Sequence, residues 1–572
     1  MEQKGSLMKK VACGMTAMIL LLIGIGGEAF AENEYQNPII PADYSDPDVI
    51  RVGNDYYMTA SSFNMVPGLP VLHSKDLVHW TLIGHGIQRL PDALIPYPNR
   101  NVHDLNYDRP RLGRGAFAPS IRYHEGWYWI FWADPDGGIY QVKAKNPAGP
   151  WGEPVLVHKA SGIIDPSPLW DSKTGKAYLS HAYAASRAGF NERIDVWEMT
   201  PDGTQLLGDP VTIFDTKQPD QFPADRHHSI IEGTKFMQRG DWYYVLCPAG
   251  SVEIGWQTAL RSKNPMGPYE IRTVCETGNT GINGPHQGGL VDTPAGAWWF
   301  IHFQSAGTLG RIVWLEPAAW ENGWPVMGVD PDGNGIGNPV HHYKAPLPFV
   351  PKSIQMSDDF PRATLGLQWQ WPANPKPDWA TIKDDSLILP AQFAGHKNLA
   401  DIPSVLTQMF PDFNFSATAH MDLNTRDDGV RAGLATMGRM TFDIGLQRAG
   451  KKYEVSVRFQ NTKLATARLP SATCWLRLET TGEPPFPLKS GRTPPSNTVP
   501  PFKRDDLDPW KNGHLSGQFS YSTNGTTFIK LGQPFEVRSG RWIGARIGLF
   551  CLKTDNESSG TGNIRKFIIT NQ

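Results

Sequence analysis

Hydrophobic and polar residues along most of this chain alternate with a period of two. Tyr128-Trp129-Ile130-Phe131-Trp132 reads as a strand, and stretches with the 3.6-residue period of an amphipathic helix are scarce. Five times before residue 330 a turn holding glycine runs into an aromatic strand. The glycines are Gly53 before Tyr56-Tyr57, Gly126 before Trp127-Tyr128-Trp129, Gly175 before Tyr178, Gly240 before Trp242-Tyr243-Tyr244, and Gly296 before Trp298-Trp299-Phe300. Their spacings of 49 to 73 residues match one four-stranded sheet plus loops, which predicts a five-bladed β-propeller. A sandwich with incidental hairpins is the plainer alternative.

The segments preceding those turns carry the chemistry. Reading back from each glycine, the preceding strand opens with Asp46-Pro47-Asp48, Ala118-Pro119-Ser120, Asp165-Pro166-Ser167, Glu232-Gly233-Thr234 and His286-Gln287-Gly288. In a propeller the innermost strand of each blade starts near the central axis, so equivalent starts converge on one pocket. Three of the five deliver a carboxylate. Asp-Pro is also an ordinary turn opener, and a single Asp there would be structural; three in register point to a site. Crowded, partly desolvated acids have their pKa values pushed apart, so one stays protonated while another is ionised. Glycosidic cleavage needs that combination, an acid for the leaving oxygen and a base for water. A calcium cage is the competing chemistry for the same oxygens, but no Asp-x-Asp-x-Asp-Gly run is present.

Composition narrows the partners. Lys and Arg number 54 against 56 Asp and Glu, a net charge of −2, which argues against nucleic-acid binding. Forty per cent hydrophobic and 19% charged residues exclude disorder, and 57 Gly with 49 Pro in no period exclude collagen and suggest many tight turns. Residues 1–31 have the layout of a secretory signal peptide. Lys4, Lys9 and Lys10 precede an apolar run from Val11 to Gly27, and Ala29-Phe30-Ala31 is the cleavage site. The mature protein is therefore expected to be secreted or periplasmic, with no later membrane span. Cys247, Cys275, Cys474 and Cys551 form neither a disulfide framework nor a zinc pattern; a 247–275 disulfide and buried free thiols both remain open.

At these residues the chain resembles glycoside hydrolase family 43. The likeness rests on Asn37-Pro38-Ile39 with Tyr44-Ser45-Asp46-Pro47-Asp48, then His73-Ser74-Lys75-Asp76-Leu77-Val78-His79-Trp80. It continues through Ala118-Pro119-Ser120-Ile121, Asp165-Pro166-Ser167, Glu232-Gly233, Arg261-Ser262 with Gly267-Pro268-Tyr269, and Trp320-Glu321-Asn322-Gly323-Trp324-Pro325. The resemblance implies a five-bladed propeller and an inverting exo-glycosidase. Its substrates would be hemicellulose oligosaccharides of the plant cell wall, from which it removes terminal β-D-xylosyl or α-L-arabinofuranosyl units. By position it implies Asp46 as general base, Glu232 as general acid and Asp165 as pKa modulator. It further implies Arg311 and Gln287 as substrate contacts and His286 as the axial histidine near a calcium, often hydrated, in many members; no cofactor is required for the chemistry. Phe117 stands where many members carry Trp, which leaves Phe63, Trp80 and Tyr107 as further sugar-stacking candidates. His227 and His228 either reach the pocket or pack behind it.

Residues 32–340 are thus expected to be the propeller and the Pro-containing stretch 341–355 a linker. From 356 to 572, runs such as Leu365–Trp371, Leu406–Gln408, Phe519–Ser522 and Trp542–Phe550 read as strands of a β-sandwich. They resemble the concanavalin-like jelly roll that follows the propeller in one group of β-xylosidases. That domain is expected to brace the propeller, with a loop at the mouth of the site. A non-catalytic sugar-binding propeller, or an exo-glycosidase on another sugar such as galactan, is the alternative; signatures of retaining fructosidases and of sialidases are missing.

Overall fold

The computed structural model describes residues 33–91, 110–222, 228, 230–280, 282, 284–395, 397–483 and 515–571. The expected signal peptide, Tyr107, His227 and most of a Pro-rich stretch beginning near residue 481 lie outside them.

Five antiparallel sheets of four strands, each in sequence order, form the first part of the chain. Their first strands are Asp48–Val52, Phe117–His124, Ile163–Trp170, Lys235–Arg239 and His286–Asp292. The first strands of blades one to four touch in succession, and that of blade five closes the ring onto blade one. All five glycines noted above sit in the hairpin after the first strand with φ between 57° and 87°, a region open to glycine without the Cβ clash other residues suffer. Aromatic second strands then pack between blades: Trp129 and Phe131 of blade two lie against Leu179 and Met199 of blade three.

Neighbouring blades are also stitched by polar groups. Asp48 accepts hydrogen bonds from the Ile121 backbone N–H (2.9 Å) and the Arg122 guanidinium (2.6 Å), and Ser167 accepts from the Phe236 N–H (2.8 Å) and the same guanidinium (2.7 Å). The chain start closes the ring differently. Tyr35 and Asn37 donate to the Leu315 carbonyl in blade five, and Glu34–Gln36 pair with His342–Lys344, at the head of the expected linker.

The second part is a sandwich of an eight-stranded and a seven-stranded sheet. Its core, including Phe415, Leu434, Leu476, Ile547 and Phe567, is continuous with residues of blades one, two and five. One expected strand is absent and another is shorter than expected: Leu365–Trp371 is loop held by isolated bridges from Gln370 to Thr407 and from Trp371 to Val66, and the strand expected from Trp542 to Phe550 starts only at Arg546. Both segments instead face the propeller, where their backbone groups bond across the interface. Val66 and Trp371 exchange backbone hydrogen bonds of 2.8 and 2.6 Å, and Asn374 bonds both backbone groups of Leu90.

Candidate active site

Each blade starts with a backbone kink near the axis. Asp46 (φ 54°), Ala118 (33°), Asp165 (58°) and Gln287 (39°) occupy the left-handed region, and in blade four the kinked residue is Gly233 (67°), directly after Glu232. Left-handed backbone at a non-glycine residue costs of order 1 kcal/mol or more, so the kinks persist only because the ring around them enforces them. In blade four the glycine is required twice over, since a Cβ there would also meet Pro248 at 2.7 Å and Gln287 at 2.8 Å. The kinks bring the three acids together.

Asp46 is 4% exposed. One oxygen accepts from the Arg311 guanidinium at 2.8 Å, the other from the Ser61 hydroxyl at 2.5 Å; Ser61 in turn accepts from the Ala118 N–H at 2.6 Å. Asp165 is fully enclosed and accepts the Gly233 N–H at 2.6 Å, which fixes the peptide after Glu232. Desolvation first, and then the charge of Glu232, push the Asp165 carboxyl well above the ordinary carboxylate range. Glu232 keeps a quarter of its side-chain surface open. Neighbouring protein still strips most water from its carboxyl, and this desolvation lifts its pKa to about 7; Asp46 and Glu253 push the same way, against Arg311. Lys235 lies buried beneath the acids, donating to the Pro119 carbonyl at 2.7 Å.

His286 approaches Glu232 to 4.0 Å and is held neutral by burial and by the positive charge of Arg311. Among the described residues neither of its ring nitrogens has a hydrogen-bond partner, and the buried amides of Gln287 and Gln304 also hold unpartnered atoms. Among the described residues no group of three His, Cys, Asp or Glu side chains forms a metal cage. One neutral imidazole with orphaned polar groups on neighbouring strands fits a hydrated ion bound largely through water.

The remaining candidates divide. Phe117 is half-buried beside the kink of blade two, with Phe63 edge-on to it at 4.8 Å; Phe63 is itself 2% exposed and supports Phe117 more than it faces solvent. Trp80 is not in the site. It is 2% exposed within the blade-one core, and its indole N–H is spent on the Leu77 carbonyl at 2.9 Å, so it has no face for a sugar. His228 packs between Phe214 and Trp256, behind the pocket.

Sequence reasoning missed Ser61, Asp43 and Trp542. Asp43 accepts from the Arg311 backbone N–H (2.9 Å) and from the Gly544 N–H of the sandwich (2.8 Å). That contact brings the loop before Arg546 over the site, where the Trp542 ring lies 5.6 Å from the Arg311 guanidinium while remaining 44% exposed. An aromatic at left-handed φ (67°), unburied and stacked over a charged site residue, was masked in the sequence by its place at the head of an apolar run.

Comparison with known proteins identifies the two parts of the chain. Residues 35–325 match the profile described as glycosyl hydrolases family 43, and residues 357–486 match the beta xylosidase C-terminal concanavalin A-like domain. A putative beta-xylosidase of Xylanibacter ruminicola is 36% identical over 91% of this chain and 87% of that protein. A non-reducing end alpha-L-arabinofuranosidase of Bacteroides ovatus is 32% identical over 73% of this chain and 76% of its own length. Among solved structures, a bifunctional GH43-CE protein of Bacteroides eggerthii superposes with a TM-score of 0.75 at 25% identity, over 95% of this chain and 64% of that one.

Proposed function

Starting from a chain that belongs to glycosyl hydrolase family 43 and is a glycoside hydrolase, we propose that it is an exported, inverting exo-enzyme that releases terminal β-D-xylosyl or α-L-arabinofuranosyl units from hemicellulose oligosaccharides. The observation that carries the reading is the contrast between two acids of one site: Asp46 is ion-paired to Arg311, while Glu232 has its carboxyl lifted to about 7. A carboxyl that keeps its proton near neutrality can donate it to a departing glycosidic oxygen; one bound by a guanidinium and a hydroxyl can accept a proton from water.

In this reading Glu232 protonates the leaving oxygen as the C–O bond breaks, and Asp46 takes a proton from the water that attacks the anomeric carbon from the opposite face. Asp165 orients Glu232 through the Gly233 N–H, and its nearness means the two carboxyls do not both ionise readily. Arg311 holds Asp46 and offers its remaining donors to sugar hydroxyls. Phe117, Gln287 and Trp542 line the sugar. His286 would hold a calcium ion, which would supply fixed positive charge beside the acid.

The experiment is hydrolysis of p-nitrophenyl β-D-xyloside and α-L-arabinofuranoside, with proton NMR of the first sugar released. Turnover with the opposite anomer is expected. A retained anomer, or undiminished activity in Asp46→Ala, would overturn the mechanism; binding of xylo-oligosaccharides without turnover would favour a sugar-binding propeller.

A further inference from the structure

A cavity of about 350 Å³ lies between the propeller and the sandwich, within the range of small-ligand sites. It is continuous in sequence with the active site on both walls. Asn64 on one side follows Phe63, and Arg541 and Ile543 on the other flank Trp542. Its lining is strongly basic: Arg111, Arg114, Arg439, Arg541 and Arg546 contribute guanidinium groups, and Asp401 is the single acid among the lining residues.

The degree of compensation differs from one arginine to the next. Arg111, Arg114 and Arg187 share two carboxylates, Asp134 and Asp136. Arg546, buried at 3% exposure, bonds among the described residues the neutral oxygens of Thr407 (2.9 Å) and Gln370 (2.5 Å), with the Asp43 carboxyl a neighbouring charge rather than an ion-pair partner. Arg541 makes no ion pair among the described residues. Most telling is Arg111: its side chain is 2% exposed, yet among the described residues neither Nε nor Nη1 has a hydrogen-bond partner. An unpaired buried donor is costly, and charged donors are the costliest, so such groups call for a ligand. Across the same cavity the Asn64 side-chain oxygen is a buried acceptor without a donor among the described residues. A ligand offering an anion to the arginines and a hydroxyl to Asn64 satisfies both.

We propose that this interdomain cavity is a subsite for an acidic side group of the glycan, the carboxylate of a uronic acid carried on the pentose chain whose end occupies the active site. The proposal rests on the pentosidase reading above. It makes the enzyme an exo-hydrolase that prefers chains bearing an acidic branch near the terminus over bare ones.

The test is isothermal titration of the Glu232→Gln protein, whose turnover is suppressed far enough for binding to be read. The probes are xylotriose, xylotriose with a 4-O-methylglucuronosyl branch, and that branched sugar with its carboxyl methyl-esterified. The acidic ligand is expected to bind about 10-fold or more tighter than the other two, as charge-assisted hydrogen bonds allow. Its advantage should shrink with added salt and fall severalfold or more in Arg541→Ala and in Arg439→Ala, with xylotriose affinity unchanged in both. Equal binding of acid and ester, or an acidic preference untouched by either substitution, overturns the subsite. Wild-type turnover of aryl pentosides separates the two readings. Turnover without acidic preference sinks only the subsite; acidic preference without turnover sinks only the pentosidase assignment.

Discussion

Replacing Glu232 by Gln keeps the shape of the side chain and removes its proton. General acid catalysis contributes about 10²–10⁴-fold, so hydrolysis of xylobiose, whose leaving group needs that proton, should fall by this factor. A 2,4-dinitrophenyl pentoside, with a leaving group stable as an anion, should lose far less. The pH profile supplies the second readout. With the carboxyl at about 7, the wild-type rate should halve near pH 7, fall to about a tenth by pH 8 and keep dropping tenfold per unit; the Gln variant should lack that limb. Stability gives a third. The folded-state pKa lies above the ordinary 4.5, so the native state holds this proton more tightly than the unfolded chain does. Stability is therefore lost as pH rises from 4.5 through about 7. The Gln variant escapes that loss and should be more stable above pH 7, by at most about 3 kcal/mol for a shift of this size. Urea denaturation at pH 5 and pH 8 measures it. A variant that cleaves xylobiose within a few-fold of wild type, or keeps the alkaline limb, refutes the assignment of Glu232.

Trp542→Ala should raise KM for xylobiose by up to about tenfold while moving kcat little, since the ring is held over Arg311 rather than against the acids; an unchanged KM would remove Trp542 from the site. Gly544→Ala should reproduce that effect, because a Cβ there would meet the Leu309 carbonyl oxygen at 2.2 Å and displace the loop. Among the described residues the four cysteines, Cys247, Cys275, Cys474 and Cys551, are free and buried, with burial pushing Cys247, Cys474 and Cys551 up to about 12. A thiol reagent at pH 8 should therefore label the folded protein slowly and fully only after unfolding, and a reductant should leave the melting temperature unchanged.

How much of this was legible in the sequence depended on the distance over which each feature is decided. The blades were legible because a hairpin turn with positive φ favours glycine and a second strand packed between blades favours aromatics, both local requirements met at Gly53, Gly126, Gly175, Gly240 and Gly296. The acid trio was legible because the segment opening each first strand recurs from blade to blade, so Asp46, Asp165 and Glu232 could be aligned without knowing their contacts. Trp80 was misread for the converse reason: its motif is local, but whether an indole faces sugar or core depends on Leu77 and the surrounding blade. Ser61, Asp43 and Trp542 were hidden because each acts through partners set by tertiary packing; Asp43 bonds residues 268 and 501 positions away.

Asp43 also shows why the sandwich and the candidate site cannot be treated as separate modules. Its carboxyl is wholly buried, and desolvation outweighs its hydrogen bonds, so its pKa stands above the ordinary range. What holds it is a set of donors from both parts of the chain: the Arg311 N–H, the Ser45 hydroxyl and the Gly544 N–H. Two further cross-domain bonds, Ala545 N–H to the Thr308 carbonyl at 2.7 Å and the Thr308 hydroxyl to the Val537 carbonyl at 3.1 Å, clamp the same loop. Orientation of Arg311, and through it Asp46, is therefore coupled to the docking of the Trp542 loop. Asp43→Ala strands two backbone donors, at about 1–3 kcal/mol each, and should lower both thermal stability and kcat/KM. If the coupling is real, Asp43→Ala and Trp542→Ala will be non-additive in kcat/KM, since the first already frees the loop that the second truncates. Additive losses would mean that Asp43 merely stabilises the protein and that the sandwich loop reaches the sugar independently of Arg311.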